Sequence, residues 1–148
     1  MDSNEIKKSE MSAFDDTEAF LHGAEESPYW NEYHQRIKKR LTAQFKDGQT
    51  LLEVGCGKSV YLPLVKKKSA MSVGLDINKN LLKLNKGCEC VLADSEHLPF
   101  ASGCFDFVLC VGALHHLPEK AKGIREITRV CKKQLLIIEP HSICLILW

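Results

Sequence analysis

Short apolar runs alternate along the chain with longer segments in which apolar residues recur every three or four positions. The runs are typical of buried strands, and the recurring pattern is typical of helices that pack one face against a sheet. The runs predict five strands, at residues 50–54, 71–75, 90–93, 105–111 and 135–138. The recurring pattern predicts three helices between them, at residues 60–68, after Asn78 up to Gly87, and from Pro118 to Val130.

A further amphipathic helix is predicted before the first strand. Ser27 is a suitable N-cap, and Pro28 occupies the first helical position. Aromatic and aliphatic residues follow at helical spacing, and Asp47 and Gly48 end the segment. Residues 1–26 are polar and are interpreted as a mobile start with room for a short helix. The folded domain is therefore expected to span residues 27–148.

Strands that alternate with helices predict an α/β fold with a Rossmann-like, doubly wound, mostly parallel sheet. In such sheets a ligand binds at the carboxyl ends of the strands, where the strand order reverses. Functional residues are therefore sought directly after the predicted strands.

Composition narrows the class of protein. The chain has 148 residues and a formal net charge of +1, which gives no electrostatic argument for nucleic acid or an anionic membrane. Seven cysteines and a polar start without a secretory signal favour a reducing, cytoplasmic location. Because no second cysteine pair stands at metal-site spacing from Cys88 and Cys90, no metal site is expected.

The stretch "LLEVGCGKS" at residues 51–59 raises the question of which ligand its glycines hold. A phosphate-binding P-loop would need a glycine at position 52, which is Leu52, so that loop is too short. The dinucleotide fingerprint would need a third glycine at position 60, which is Val60. Asp76 nevertheless follows the second strand about 20 residues after Gly55, the spacing of an acid that holds ribose hydroxyls.

Five stretches in order resemble one family. They are "LLEVGCG", "VGLDIN", "ADSEHLPF", "FDFVLCVGALHHL" and "IREITRV" followed by "LLIIEP". Over residues 50–140 this set is similar to the class I S-adenosylmethionine-dependent methyltransferases, particularly the ubiquinone and menaquinone C-methyltransferases. The resemblance implies an enzyme that uses S-adenosyl-L-methionine to methylate an acceptor of unknown identity.

The resemblance also implies a cofactor site. Glycines after the first strand let the backbone approach the methionine portion, and a glutamate beside them helps neutralise its ammonium. An aspartate accepts hydrogen bonds from the ribose hydroxyls, and residues after the second, third and fourth strands face adenine or the methionine end. The cofactor-binding residues are expected to be Glu53, Gly55, Gly57, Asp76, Ile77, Asp94, Ser95 and Val111.

Candidate catalytic residues are His115 and His116, in the loop that the family turns toward its substrate. A histidine base is suitable where the acceptor must lose a proton, since its pKa lies near neutrality. The alternative to a catalytic role is a structural one, in which one of the two histidines is packed and hydrogen-bonded and the other is exposed. Tyr29, Trp30 and Tyr33 are expected either to form a lid or acceptor wall or to pack a helix against the sheet.

The chain departs from the family in two places. Ser59 stands where the family has a third glycine, and Lys58 precedes it. The resembling enzymes also continue past the fifth strand with a helix and an antiparallel strand pair. The chain is therefore expected to lack the last two strands and to be C-terminally incomplete, with the fifth strand as an exposed edge. Residues 143–148 are expected to cover that edge or to mediate self-association or partner binding.

Three functions remain open from the sequence. The first is an active methyltransferase that acts on a small-molecule or lipid-like acceptor. The second is a catalytically weak or inactive module that binds cofactor or a protein partner. The third is a nicotinamide oxidoreductase, which Val60 and the motifs after the third and fourth strands disfavour.

Overall fold

The computed structural model describes residues 2–13, 28–139 and 145–147. Six strands of the described chain form one sheet in the order β3-β2-β1-β4-β5-β6. The first five are parallel, and β6 runs antiparallel to β5. The strands are β1 (Thr50–Val54), β2 (Met71–Asp76), β3 (Glu89–Leu92), β4 (Phe105–Val111), β5 (Cys131–Ile138) and β6 (Leu145–Leu147).

Helices lie between the strands, as the alternating pattern predicts. They are α1 (Ser3–Ala13), α2 (Pro28–Gln44), α3 (Leu62–Val65), α4 (Lys79–Leu82) and α5 (Lys120–Val130), with a 3₁₀ turn at Leu114–His116. Strand order reverses between β1 and β4, so the crevice at their carboxyl ends is where a doubly wound sheet places its ligand. The predicted α/β fold is confirmed.

Two apolar layers cover the two faces of the sheet. On one face, Ile127 and Val130 of α5 pack with Leu75 and Val108 of the strands. On the other face, Leu41 of α2 and residues of α3 pack with Phe107 and Leu109. The central strands β1 and β4 are therefore buried on both sides, which explains their nearly continuous apolar sequences.

Two helices are shorter than predicted. α3 covers only Leu62–Val65 of the predicted 60–68. α4 begins as predicted, because Asn78 Oδ1 accepts hydrogen bonds from the amides of Asn80 and Leu81, but it ends at Leu82. After that residue the amides of Leu84 and Asn85 bond three residues back, which forms a turn rather than a further α-helical turn.

The fifth strand is not the exposed edge that the sequence predicted. Leu135, Leu136 and Ile137 of β5 pair with Leu147, Ile146 and Leu145 of β6. β6 thus covers this part of β5, in agreement with one of the alternatives expected for residues 143–148. Residues 143, 144 and 148 lie outside the described residues.

The amino-terminal segment contributes a helix to the structure. α1 begins with a reciprocal cap, in which the Glu5 amide donates to Asp2 Oδ1 and the Asp2 amide donates to Glu5 Oε2, both at 2.8 Å. Ser27, the predicted N-cap of α2, lies outside the described residues. Within those residues, none of the helices has the length and apolar character needed to cross a membrane.

Candidate functional site

One cavity of about 480 Å³ opens at the carboxyl ends of the parallel strands. The structure brings all ten predicted site residues to its walls, although they come from five separate stretches of the chain. They are Glu53, Gly55, Gly57, Asp76, Ile77, Asp94, Ser95, Val111, His115 and His116. The cavity thus joins the ends of β1, β2 and β4 and the loop after β3.

The turn after β1 needs both of its glycines. Gly55 has a φ of +67° and Gly57 a φ of +47°, values that side chains of L-residues rarely permit. A Cβ at Gly55 would also lie 2.2 Å from the Cβ of Ala113, so this position has no room for a side chain. The turn consequently presents bare backbone to the cavity, which suits close approach of a ligand.

Asp76, at the end of β2, organises the turn as well as facing the cavity. Its Oδ2 accepts a hydrogen bond of 2.7 Å from the Gly57 amide, and its Oδ1 accepts one of 2.8 Å from the Asn78 amide. Burial raises the pKa of Asp76 above its ordinary value, although these amide bonds favour the anion. Each oxygen retains a second lone pair, so the carboxylate can accept two further hydroxyl donors.

Glu53, near the end of β1, is almost fully buried. Burial raises the pKa of Glu53 to about 8, although a 2.5 Å hydrogen bond from Ser59 Oγ to its Oε2 favours the anion. Ser59 Oγ in turn accepts from the amides of Tyr61 and Leu62 at the start of α3. The serine that replaces the family's third glycine therefore links Glu53 to a helix start. A cation beside Glu53 would be strongly attracted to its ionised form.

Asp94, after β3, already has a cationic partner. Lys7 Nζ of α1 lies 2.7 Å from Asp94 Oδ2 and 2.6 Å from Oε2 of the buried Glu96. Burial alone would raise the pKa of Asp94, but the hydrogen bond from Lys7 and others outweigh it and leave that pKa below its ordinary value. Lys7 lines the cavity with Asp94, so α1 covers this end of the cavity.

The two candidate catalytic histidines differ in their partners. His115 Nδ1 lies 2.5 Å from Glu139 Oε2, just past the end of β5, and Glu139 Oε1 accepts from the Leu114 amide. Glu139 thus fixes the 3₁₀ turn that carries both histidines. The His115 ring is exposed, whereas His116 is half-buried with its ring centroid 3.9 Å from that of His115.

An aromatic group forms the cavity wall on the α2 side. Trp30, Tyr33 and His34 of α2 line the cavity with Tyr61, and His34 Nδ1 forms a hydrogen bond with the Tyr61 hydroxyl. Trp30 and Tyr33 therefore occupy the wall position that was one of their two predicted roles. Tyr29 is exposed.

Sequence reasoning missed several of these contacts. Lys7 stands 87 positions from Asp94, and no local pattern connects the two. His34 stands among the residues at helical spacing after Pro28, and that spacing gave no sign of its place in the cavity wall. Asn85, whose side chain bonds the glycine turn, follows α4 in a stretch without a motif. The only feature of the sequence that could have indicated this contact is an amide side chain near the end of a predicted helix.

Comparison with known proteins gives the same assignment for most of the chain. Residues 52–138 match a family described as a methyltransferase domain. The human protein named probable tRNA methyltransferase 9B is 30% identical over 120 residues, which are 76% of this chain and 26% of that protein. A demethylmenaquinone methyltransferase of Corynebacterium kroppenstedtii is 30% identical over 102 residues, 68% of this chain and 44% of that protein.

The fold agrees with solved structures. The YcgJ protein of Bacillus subtilis superposes with a TM-score of 0.62 at 23% identity, covering 70% of this chain and 48% of that one. This similarity concerns the fold alone. The chain spans about a quarter of the length of the human relative and under half of the bacterial one.

Proposed function

The chain belongs to the class I S-adenosylmethionine-dependent methyltransferases, and on that premise we propose that it binds S-adenosylmethionine in the cavity and transfers the methyl group to an acceptor. The observation that carries the proposal is the convergence of three features on one cavity. These are the glycine turn without side chains, the buried Glu53, and Asp76, which accepts hydrogen bonds from two backbone amides. The first two suit the methionine end of the cofactor, and Asp76 suits its ribose.

At the methionine end, the chain supplies close backbone approach and negative charge. Gly55 and Gly57 expose backbone where a Cβ would be strained or would collide. Glu53 lies beneath that turn, where its ionised form would neutralise an ammonium group. Val111, at the end of β4, contributes an apolar surface beside them.

At the adenosine end, the chain supplies hydrogen-bond acceptors and an apolar face. Asp76 would accept from the ribose hydroxyls through its remaining lone pairs. Ile77 would pack against adenine, Asp94 would accept from the exocyclic amine, and the Ser95 backbone would bond a ring nitrogen. Hydrogen bonds to a charged acceptor typically contribute about 1.5–3 kcal/mol each.

When bound, S-adenosylmethionine would supply an activated methyl carbon: an acceptor atom would bond to that carbon as the carbon–sulfur bond breaks, and the electron pair would stay on the sulfur of a neutral thioether. The chain mainly orients the acceptor and excludes water, and orientation can supply roughly 7–11 kcal/mol. His115 and His116 are the candidates to take a proton from an acceptor that must lose one. Glu139 holds His115 in place for that role.

The names of the relatives indicate which classes of acceptor should be assayed. One relative is named for tRNA and another for demethylmenaquinone, so the assay needs both an RNA arm and a small-molecule arm.

As part of the proposal, the domain comprises residues 27–148 and acts in the cytoplasm. Six free cysteines in the described chain support that reducing location.

Titration calorimetry with S-adenosylhomocysteine, ATP and NAD tests the cofactor assignment. We expect binding of S-adenosylhomocysteine alone, with micromolar binding corresponding to about −8 kcal/mol. Tight binding of ATP or NAD without a response to S-adenosylhomocysteine would contradict it. Transfer of a labelled methyl group to total tRNA or to a small-molecule extract then separates an active enzyme from a module that only binds cofactor.

A further inference from the structure

Asn85 contacts the glycine turn without lining the cavity. Its side-chain Nδ2 donates to the Gly57 carbonyl oxygen at 2.7 Å, and its Oδ1 accepts from the Ser59 amide at 2.8 Å. Both distances are those of normal hydrogen bonds. One side-chain amide thus bonds the two backbone groups on either side of Lys58.

Asn85 and Asp76 hold Gly57 from two directions. Asp76 accepts from the Gly57 amide, while Asn85 donates to the Gly57 carbonyl. Glycine loses more conformational freedom on folding than any other residue, so a turn built on two glycines needs such external restraints to keep one shape. The two restraints come from different elements, the end of β2 and the turn after α4.

The Asn85 side chain is itself anchored. Its backbone amide donates to the Leu82 carbonyl at 3.1 Å, and its Nδ2 also lies 3.4 Å from the carbonyls of Leu81 and Leu82. The side chain therefore ties the glycine turn to the end of α4. The arrangement needs a donor and an acceptor on one short side chain, which asparagine has and aspartate does not.

We propose that Asn85 is a positioning residue for the methionine end of the cofactor. By fixing the Gly57 and Ser59 peptide groups, it sets how closely the backbone approaches the amino-acid portion. The hydrogen bonds of its side chain run to the glycine turn and to the end of α4, whereas the ribose and adenine are proposed to face Asp76 and the residues after β3. This inference rests on the proposed function, because it assumes that the cofactor occupies the cavity.

Two ligands separate this role from general support of the site. S-adenosylhomocysteine has the amino-acid portion, whereas 5′-methylthioadenosine has the adenosine and the thioether but no amino acid. We expect Asn85→Ala to weaken S-adenosylhomocysteine binding about tenfold, since two backbone hydrogen bonds are lost. We expect the affinity for 5′-methylthioadenosine to change less than twofold, because independent sites have little effect on one another.

Calorimetry on the full chain makes the comparison. Asn80→Ala is the matched control, because Asn80 is an exposed asparagine of α4, the helix that precedes Asn85, and does not line the cavity. Asn85→Asp keeps the acceptor for the Ser59 amide and loses the donor to Gly57, so it should show the same selective loss. Circular dichroism checks folding, and Asn85→Asp decides the question if the alanine variant does not fold.

The outcomes are distinct. A selective loss for S-adenosylhomocysteine supports the positioning role. Equal losses for both ligands, or no loss for either, would overturn that role while leaving the proposed function intact. If the unaltered chain binds neither ligand, the proposed function fails and the role of Asn85 fails with it.

Discussion

At the scale of single residues, the two buried carboxylates of the cavity serve different purposes. Asp76 is bonded by two backbone amides, so its negative charge is stabilised within the fold. Glu53 has one hydroxyl donor from Ser59 and is almost fully buried, so its neutral form is favoured near neutral pH. A cationic ligand group would therefore change the protonation state of Glu53 more than that of Asp76.

Asp76→Ala is expected to weaken cofactor binding by about 1.5–3 kcal/mol, because it removes the acceptor of the ribose hydroxyls. Because both ligands carry the ribose, both S-adenosylhomocysteine and 5′-methylthioadenosine should bind less tightly. Calorimetry measures both, with Asp47→Ala as the control at an exposed aspartate outside the cavity. Unchanged affinity in a folded variant would show that the ribose does not lie at Asp76.

Glu53 is expected to make stability depend on pH. Its folded-state pKa of about 8 lies above its ordinary value of 4.5, so the folded protein binds an extra proton between these pH values. The stability from that proton is complete below about pH 4.5 and is lost as pH rises through 8. Urea unfolding should show the free energy of unfolding falling by roughly 2 kcal/mol from pH 6 to pH 8.

Glu53→Gln should remove most of this fall, since its side chain does not titrate. Parallel pH curves for the two proteins would show that Glu53 titrates normally in the folded state.

At the scale of elements, the predictable parts are those whose pattern and packing agree. β1 and β4 have the predicted bounds, because strands buried on both faces read as unbroken apolar runs. The contribution of β6 was not predictable in the same way. Its three residues show no alternation, and its place depends on pairing with β5. The cavity residues after each strand were predictable from motif order, whereas Lys7 and Asn85 depend on tertiary contacts.

α1 provides a testable element, because its Lys7 contacts the carboxylate of Asp94, the residue proposed to accept from the adenine amine. We expect Lys7→Met to strengthen S-adenosylhomocysteine binding by up to about tenfold, since a charge-assisted contact no longer has to be displaced or shared. Lys8→Met, at an exposed position of the same helix, is the control. The measurement is calorimetry at low and moderate salt.

Screening of the ion pair between Lys7 and Asp94 by salt should have part of the effect of the Lys7 substitution. Raising salt should narrow the difference between the Lys7 variant and the unaltered chain, because salt weakens the Lys7 contact. Weaker binding by the Lys7 variant would instead identify α1 as a lid that holds the ligand.

At the scale of the whole molecule, the cavity draws on four neighbouring strands of the sheet. Its walls come from the ends of β1, β2 and β4, from the loop after β3, and from helices on both sides of the chain's midpoint. A ligand in the cavity therefore contacts segments that separate only when the sheet itself unfolds. Binding should consequently stabilise the fold as a unit rather than one loop.

Ligand binding in the cavity should therefore raise the melting temperature of the chain. At a concentration 100 times its dissociation constant, a ligand that binds only the folded state adds about 2.7 kcal/mol of stability. For a chain of this size that corresponds to a rise in Tm of roughly 5–10 °C. We expect S-adenosylhomocysteine to produce this rise in a thermal scan, and ATP and NAD at equal concentrations to produce none. Asp76→Ala should reduce the rise at a fixed ligand concentration, because its affinity is lower. A calorimetric binding signal without any rise in Tm would mean that the ligand binds outside the cavity, at a site that survives unfolding of the sheet.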